Sequence, residues 1–114
     1  KADHTEWGWV MTQAELYTAL KTLAMPVAYG EFTTTQTPPF ITYGFAYNSD
    51  KMADNQNYIS IENYQIELYT KYKDPVTEKR IQDLFKSLRL PYSKIETYLQ
   101  SEGLWQVVYE IQLI

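Results

Sequence analysis

Glu62-Asn63-Tyr64-Gln65-Ile66-Glu67-Leu68-Tyr69-Thr70-Lys71-Tyr72-Lys73-Asp74 alternates apolar and polar side chains and then runs into a helix start. Tyr64, Ile66 and Leu68 share one parity, and Gln65, Glu67 and Tyr69 share the other. That period of two is the signature of a strand with one buried face. Asp74-Pro75 then supplies an N-cap and a first helical residue. Upstream, Ile59 and Ile61 fall on the parity opposite to Tyr64. A single strand over residues 58–72 cannot bury both sets on the same face. The pattern therefore predicts a bulge, bend or break near Glu62-Asn63.

Working toward the C-terminus, Ile81, Leu84, Phe85 and Leu88 recur at helical spacing, giving a helix over 75–88 that Arg89-Leu90-Pro91 stops. Residues 93–100 read as a fourth strand, and Gly103 marks a turn. Residues 104–113 form the cleanest strand: Trp105, Val107, Tyr109, Ile111 and Leu113 point one way, Gln106, Glu110 and Gln112 the other. The short turn between these last two strands predicts an antiparallel hairpin.

Working toward the N-terminus, residues 48–57 are polar and read as a loop. Residues 40–47 read as a strand with Ile41, Tyr43, Phe45 and Tyr47 on one face. Residues 33–39 are a polar, proline-ended connection, and 27–32 a short strand. Thr12 with Glu15 is a capping-box pattern opening a helix over 12–23, with Leu16, Ala19, Leu20 and Leu23 as its stripe and Pro26 beyond its end. The order is α-β-β-β-α-β-β. It predicts an α+β domain, a mostly antiparallel sheet with two helices on one face.

Residues 1–10 differ from the rest. They hold the only His, His4, and two of the three Trp, Trp7 and Trp9. We read them as a leader, added or flexible, outside the single α+β domain of 11–114. The alternative is a short extra strand with both Trp side chains on one face.

The bulk composition narrows the function classes. With 114 residues the chain is one domain, and an apolar fraction of 45% gives it a core without metals or disulfides. A net charge of -4 argues against sequence-specific nucleic-acid binding, because neutralising phosphates takes clustered Lys and Arg. The absence of Cys removes disulfides, thiolate nucleophiles and the usual zinc frameworks. No apolar run approaches the ~20 residues that cross a bilayer as a helix, so no membrane partner is expected. The eleven Tyr suit half-buried sheet faces and protein interfaces, where a ring is covered and a hydroxyl stays wet.

A search for chemistry returns little. Ser-His-Asp and two-His arrangements need more than His4. Glu62 and Glu67 sit on opposite parities and should not converge; Glu96 and Glu102 flank the last turn. Asp50 and Asp54 lack the ligand spacing of an EF-hand. No phosphate-cradling glycine motif is present. Lys71, Lys73, Lys79 and Arg80 are interleaved with Glu67, Asp74 and Glu78, which breaks up any basic patch. We expect no catalytic residue, no cofactor and no metal.

Three blocks carry a resemblance. They are Leu16-Tyr17-Thr18-Ala19-Leu20 with Pro26-Val27-Ala28-Tyr29-Gly30 and Pro38-Pro39-Phe40-Ile41; the segment from Glu62 to Asp74; and Tyr92-Ser93-Lys94-Ile95-Glu96-Thr97-Tyr98-Leu99-Gln100-Ser101-Glu102, continuing into Leu104-Trp105-Gln106-Val107-Val108-Tyr109-Glu110-Ile111. In this order they resemble phage and prophage tail-completion proteins, the tail terminator and head–tail joining (neck) proteins of long-tailed phages of Gram-positive bacteria. The resemblance covers most of 11–114 and implies a non-enzymatic virion part, made in the bacterial host cytoplasm. It implies self-association into a ring, a hexamer in the assembled particle, and contacts with tail-tube and neck proteins. An acidic chain suits a ring around a channel that must let DNA pass. Ring closure needs head-to-tail contacts. Tyr69 and Tyr72, on the outward side at the end of the segment, are candidate interface residues, as are Asp50, Lys51 and Met52 at the centre of the 48–57 loop. The alternative is a small protein-binding or regulatory module outside any virion.

Overall fold

A computed structural model describes residues 11–53 and 57–113, with backbone alone for 51–53 and 57–59. The leader, with His4, Trp7 and Trp9, lies outside the described residues, as does Asp54.

The elements in chain order are α1 (Gln13–Lys21), β1 (Val27–Tyr29), β2 (Phe40–Asn48), β3 (Lys51–Ala53), β4 (Asn57–Ile59), β5 (Glu62–Thr70), α2 (Pro75–Ser87), β6 (Tyr92–Leu99) and β7 (Leu104–Leu113). Five strands form one sheet in the order β1-β2-β5-β7-β6, while among the described residues β3 and β4 pair only with each other. All pairings in the large sheet are antiparallel except β1 with β2. The α+β class and the α-β-β-β-α-β-β order of the main body are as the sequence indicates. The β3–β4 hairpin is an addition: β3 lies within the 48–57 segment read as a loop, and β4 takes up the start of the strand read over 58–72.

Local chemistry sets the ends of both helices. At α1 the Thr12 hydroxyl accepts the Glu15 N–H at 3.1 Å, and Glu15 Oε1 accepts the Thr12 N–H at 2.9 Å. The helix stops two residues earlier than its apolar stripe suggests. Thr22, Leu23 and Ala24 close into tighter turns, and Ala24 takes a φ of 59°. At α2, Asp74 Oδ1 accepts the Thr77 N–H at 3.1 Å, and its other oxygen accepts the Thr77 hydroxyl at 2.6 Å. The far end is a Schellman turn: Leu90 N–H donates to the Phe85 carbonyl and Arg89 N–H to the Lys86 carbonyl. Arg89 occupies the left-handed position there, with φ of 58°.

Both helices cover the same sheet face. Leu16, Leu20, Ile81 and Phe85 pack onto Ile41, Tyr43, Tyr64, Ile66, Leu68, Val107, Tyr109 and Ile111. The alternation read in 62–74 and 104–113 is therefore the core of the molecule. Tyr109 is fully buried at its centre; its hydroxyl donates to Gln82 Oε1 at 3.1 Å, and burial pushes the phenol well above its usual range.

The break expected near Glu62-Asn63 falls at Ser60-Ile61, between β4 and β5. Ile61 is buried, with its N–H on Asp50 Oδ1 and its carbonyl on the Ser49 N–H, both at 2.9 Å. A register shift does lie beside Asn63, but on the partner strand: Phe45 pairs with Tyr64 and Tyr47 with Asn63, leaving Ala46 as the extra residue. The extra residue moves Tyr47 off the face of Ile41 and Tyr43, a correction to the strict alternation read in 40–47. Tyr47 lies over the open face, where its hydroxyl donates to Glu110 at 2.6 Å. Glycine bounds the first strand early: Gly30, with φ of 77°, ends β1 at Tyr29.

Among the described residues no helix is long and apolar enough to cross a membrane.

Candidate protein-docking site

The sheet face away from the helices carries Phe40, Thr42 and Gly44 from β2, Asn63, Gln65, Glu67 and Tyr69 from β5, and Gln106, Val108 and Glu110 from β7. Its polar groups are tied to one another. Tyr69 donates its hydroxyl to Glu67 Oε1 at 2.9 Å and accepts from Gln106 Nε2 at 2.9 Å. The Thr42 hydroxyl also donates to Glu67 Oε1, at 2.9 Å. Phe40 stacks on the Tyr69 ring, with centroids 5.0 Å apart and planes 19° apart, and Phe32 meets Phe40 edge-on at 5.6 Å. Burial raises the Tyr69 phenol; the Gln106 hydrogen bond acts against that rise and the Glu67 carboxylate adds to it. Tyr69 is thus a neutral hydrogen-bonding ring across the whole physiological range.

These aromatics line a cleft of roughly 540 Å³ between the 30–38 loop and the sheet, with Leu104 and Glu102 closing its far wall. A second hollow of about 350 Å³ adjoins it across Pro38, lined by Pro39, Thr70, Lys71 and Tyr72. Tyr72 is 73% exposed, and the Lys71 ammonium sits 5.8 Å from its ring centre. Tyr69 and Tyr72 therefore come together at one end of the sheet in adjacent hollows, though only Tyr72 projects freely.

Asp50, Lys51 and Met52 lie at the other end. Phe40 pairs with Tyr69 at one extreme of the β2–β5 ladder, and Asn48 with Glu62 at the other. Seven steps along β5 separate them, roughly 23 Å at strand rise. The segment read as a loop is in part regular: Lys51 pairs with Ile59, Met52 with Tyr58 and Ala53 with Asn57. Three-residue strands are too short for alternation to register, which is why the polar composition dominated the reading. Asp50 holds the base of this hairpin through the Ile61 N–H. Beside it Asn63, fully buried, donates to the Tyr47 carbonyl and to Ser49 Oγ and accepts from Gln112.

The remaining charged candidates are engaged within the fold. Lys73 bridges Glu78, at 2.7 Å, and Glu96; Lys94 also reaches Glu78 at 2.7 Å. Burial alone would raise the Glu78 carboxyl, but the two ammonium groups reverse this and hold it below its usual range. Lys79 pairs with Asp83, and Arg80 donates to the Leu23 carbonyl at 2.6 Å. Glu62 and Glu67 do not converge: Glu62 is exposed at the hairpin end, and Glu67 lies on the open face. Among the described residues, no three or more His, Asp or Glu side chains gather as a metal site would require.

Phe32, Phe40, Thr42, Leu104 and Gln106 escaped the sequence reading of the site. Only Gly30 hinted at them, as the turn that folds the 30–38 loop back toward the sheet.

No model of a known protein family matches the chain, and no curated protein matches it.

Proposed function

We propose that the chain is a non-enzymatic structural protein of a phage tail or neck, acting in tail completion or head–tail joining. It works by ring assembly and by contacts with tail-tube and neck proteins. The three-block resemblance supplies the family; the observation that carries the contact is the paired aromatic hollow of Tyr69 and Tyr72. A half-buried ring beside an exposed one, framed by prolines and a few polar groups, is the composition from which protein interfaces draw their anchors. The hollow and the β3–β4 hairpin stand at opposite ends of the sheet. That separation suits head-to-tail contacts, in which one surface of a copy meets a different surface of the next.

The direct test is the mass of the protein in solution, alone and with a phage tail-tube protein. The expected outcome is a ring of about six copies, or a stoichiometric complex with the tube protein, weakened at least tenfold by Tyr72→Ala. A strict monomer that binds neither tube nor neck proteins overturns the reading and leaves the non-virion binding module.

A further inference from the structure

We propose that the outer edge of β6 is a self-pairing surface whose partner is a second copy of this chain, joined about a two-fold axis through Ile95. Among the described residues β6 pairs with β7 along one side only and is the last strand of the sheet. Its eight residues are exposed or half-exposed throughout. A long free edge is a template for another strand, and proteins blunt such edges with bulges, prolines, edge lysines or charged residues pointing inward. β6 has neither proline nor register shift between Tyr92 and Leu99. Its one lysine is drawn inward: Lys94 Nζ reaches Glu78 on α2, and Glu96 is held by Lys73. The inward charges of β6 are thus already paired within the fold and are not left bare against an added strand, and the edge presents Ser93, Ile95 and Thr97 on the open face. Ile95 is 66% exposed there.

The sequence of the strand names the occupant. Tyr92-Ser93-Lys94-Ile95-Glu96-Thr97-Tyr98 is a chemical palindrome about Ile95. Two copies laid antiparallel with Ile95 facing itself would set Lys94 against Glu96, Ser93 against Thr97 and Tyr92 against Tyr98, each pair twice. Opposite charges, hydroxyl pairs and aromatic pairs are the cross-strand combinations that stabilise antiparallel ladders, and like charges directly opposite destabilise them. A shift by one residue loses this match, since it places Ile95 against Glu96. The two-fold axis stands perpendicular to the sheet, so the helices of both copies lie on the same side of one continuous ten-stranded sheet. Lys73, Glu78, Lys94 and Glu96 of each copy then meet in one band of alternating charge.

This contact is isologous and closes at two copies, whereas ring closure is heterologous. It does not depend on the tail–neck reading, and the two can fail separately.

Because the chain contains no cysteine, single cysteines test the register directly. I95C should form a disulfide-linked dimer under mild oxidation, since facing residues sit about 4.5–5.5 Å apart at Cα, within disulfide reach. S93C and T97C should each crosslink poorly alone but efficiently when the two variants are mixed. I95K puts two ammonium groups on the axis and should raise the dimer dissociation constant about tenfold or more by sedimentation, with an unchanged melting profile as the folding control. The proposal is overturned by a protein that stays monomeric at every concentration, by association indifferent to I95K, or by I95C crosslinking no faster than S93C.

Discussion

Leu68 and Tyr69 are consecutive residues on the central strand, and they live in different chemistries. Leu68 is fully buried under the helices among Ile41, Ile66 and Val107. Tyr69 lies on the open face in a chain of hydrogen bonds that links Gln106, Glu67 and Thr42. The covered face is held by area removed from water, which is non-directional and tolerates little loss of volume. The open face is held by directional bonds between groups that water could also satisfy, so each is worth less to the fold. Stability is concentrated under the helices, and the proposed recognition falls to the other side.

Leu68→Ala should break the stronger half, costing about 2–5 kcal/mol in urea denaturation, as burial in a close-packed core dictates. Glu78→Gln tests whether charge also holds the covered side. We expect a loss of roughly 1–3 kcal/mol, below the value for a fully buried pair because Lys73 and Lys94 can turn to solvent. The pH dependence has a definite sign. The folded carboxyl of Glu78 titrates below its usual value near 4.5, so its contribution is fully present above that value and is lost as pH falls through the lower folded one. Wild type should therefore lose stability on acidification more steeply than Glu78→Gln over that acid window. Tyr69→Phe removes one hydroxyl from the open-face chain and should cost about 0.5–1.5 kcal/mol, far less than its neighbour. Arg89→Gly runs the other way: relieving a left-handed side chain at the α2 terminus should stabilise by about 1 kcal/mol in thermal melts. Tyr72→Ala should move stability by no more than ~0.5 kcal/mol, which makes it the clean variant for binding measurements.

What the sequence disclosed follows the same division. The capping box at Thr12, the Asp74-Pro75 start and the stripes of α2 and β7 were legible because each depends on residues within a few positions. The one-sided helical layer followed from alternation in β5 and β7. The parallel placement of β1, the extra residue at Ala46 and the β3–β4 pairing over 51–59 left no periodic trace. The strands β1, β3 and β4 are each three residues long, and the bulge is a single residue. The candidate site was legible only in part. Tyr69 stood out by parity and Tyr72 by its position at the end of the segment. Their cleft needs Phe32 from a loop and Leu104 from the last strand, which only the folded sheet brings together. The ion pairs of Glu78 were equally hidden, since Lys94 lies on a different element.

The place of β5 at the middle of the sheet also governs how fast the molecule can form. Its side chains bond to residues 25 positions away in β2 and 37 and 49 positions away in β7. The neighbouring β6–β7 hairpin, by contrast, is joined by a turn of a few residues. Closing long loops must precede the contacts that reward them, so a sheet centred on such a strand folds more slowly than its size suggests. The hairpin can form and dissolve many times before the central strand finds both of its partners. Stopped-flow refolding should show a rate set by that search, and Leu68 is the position at which to time it.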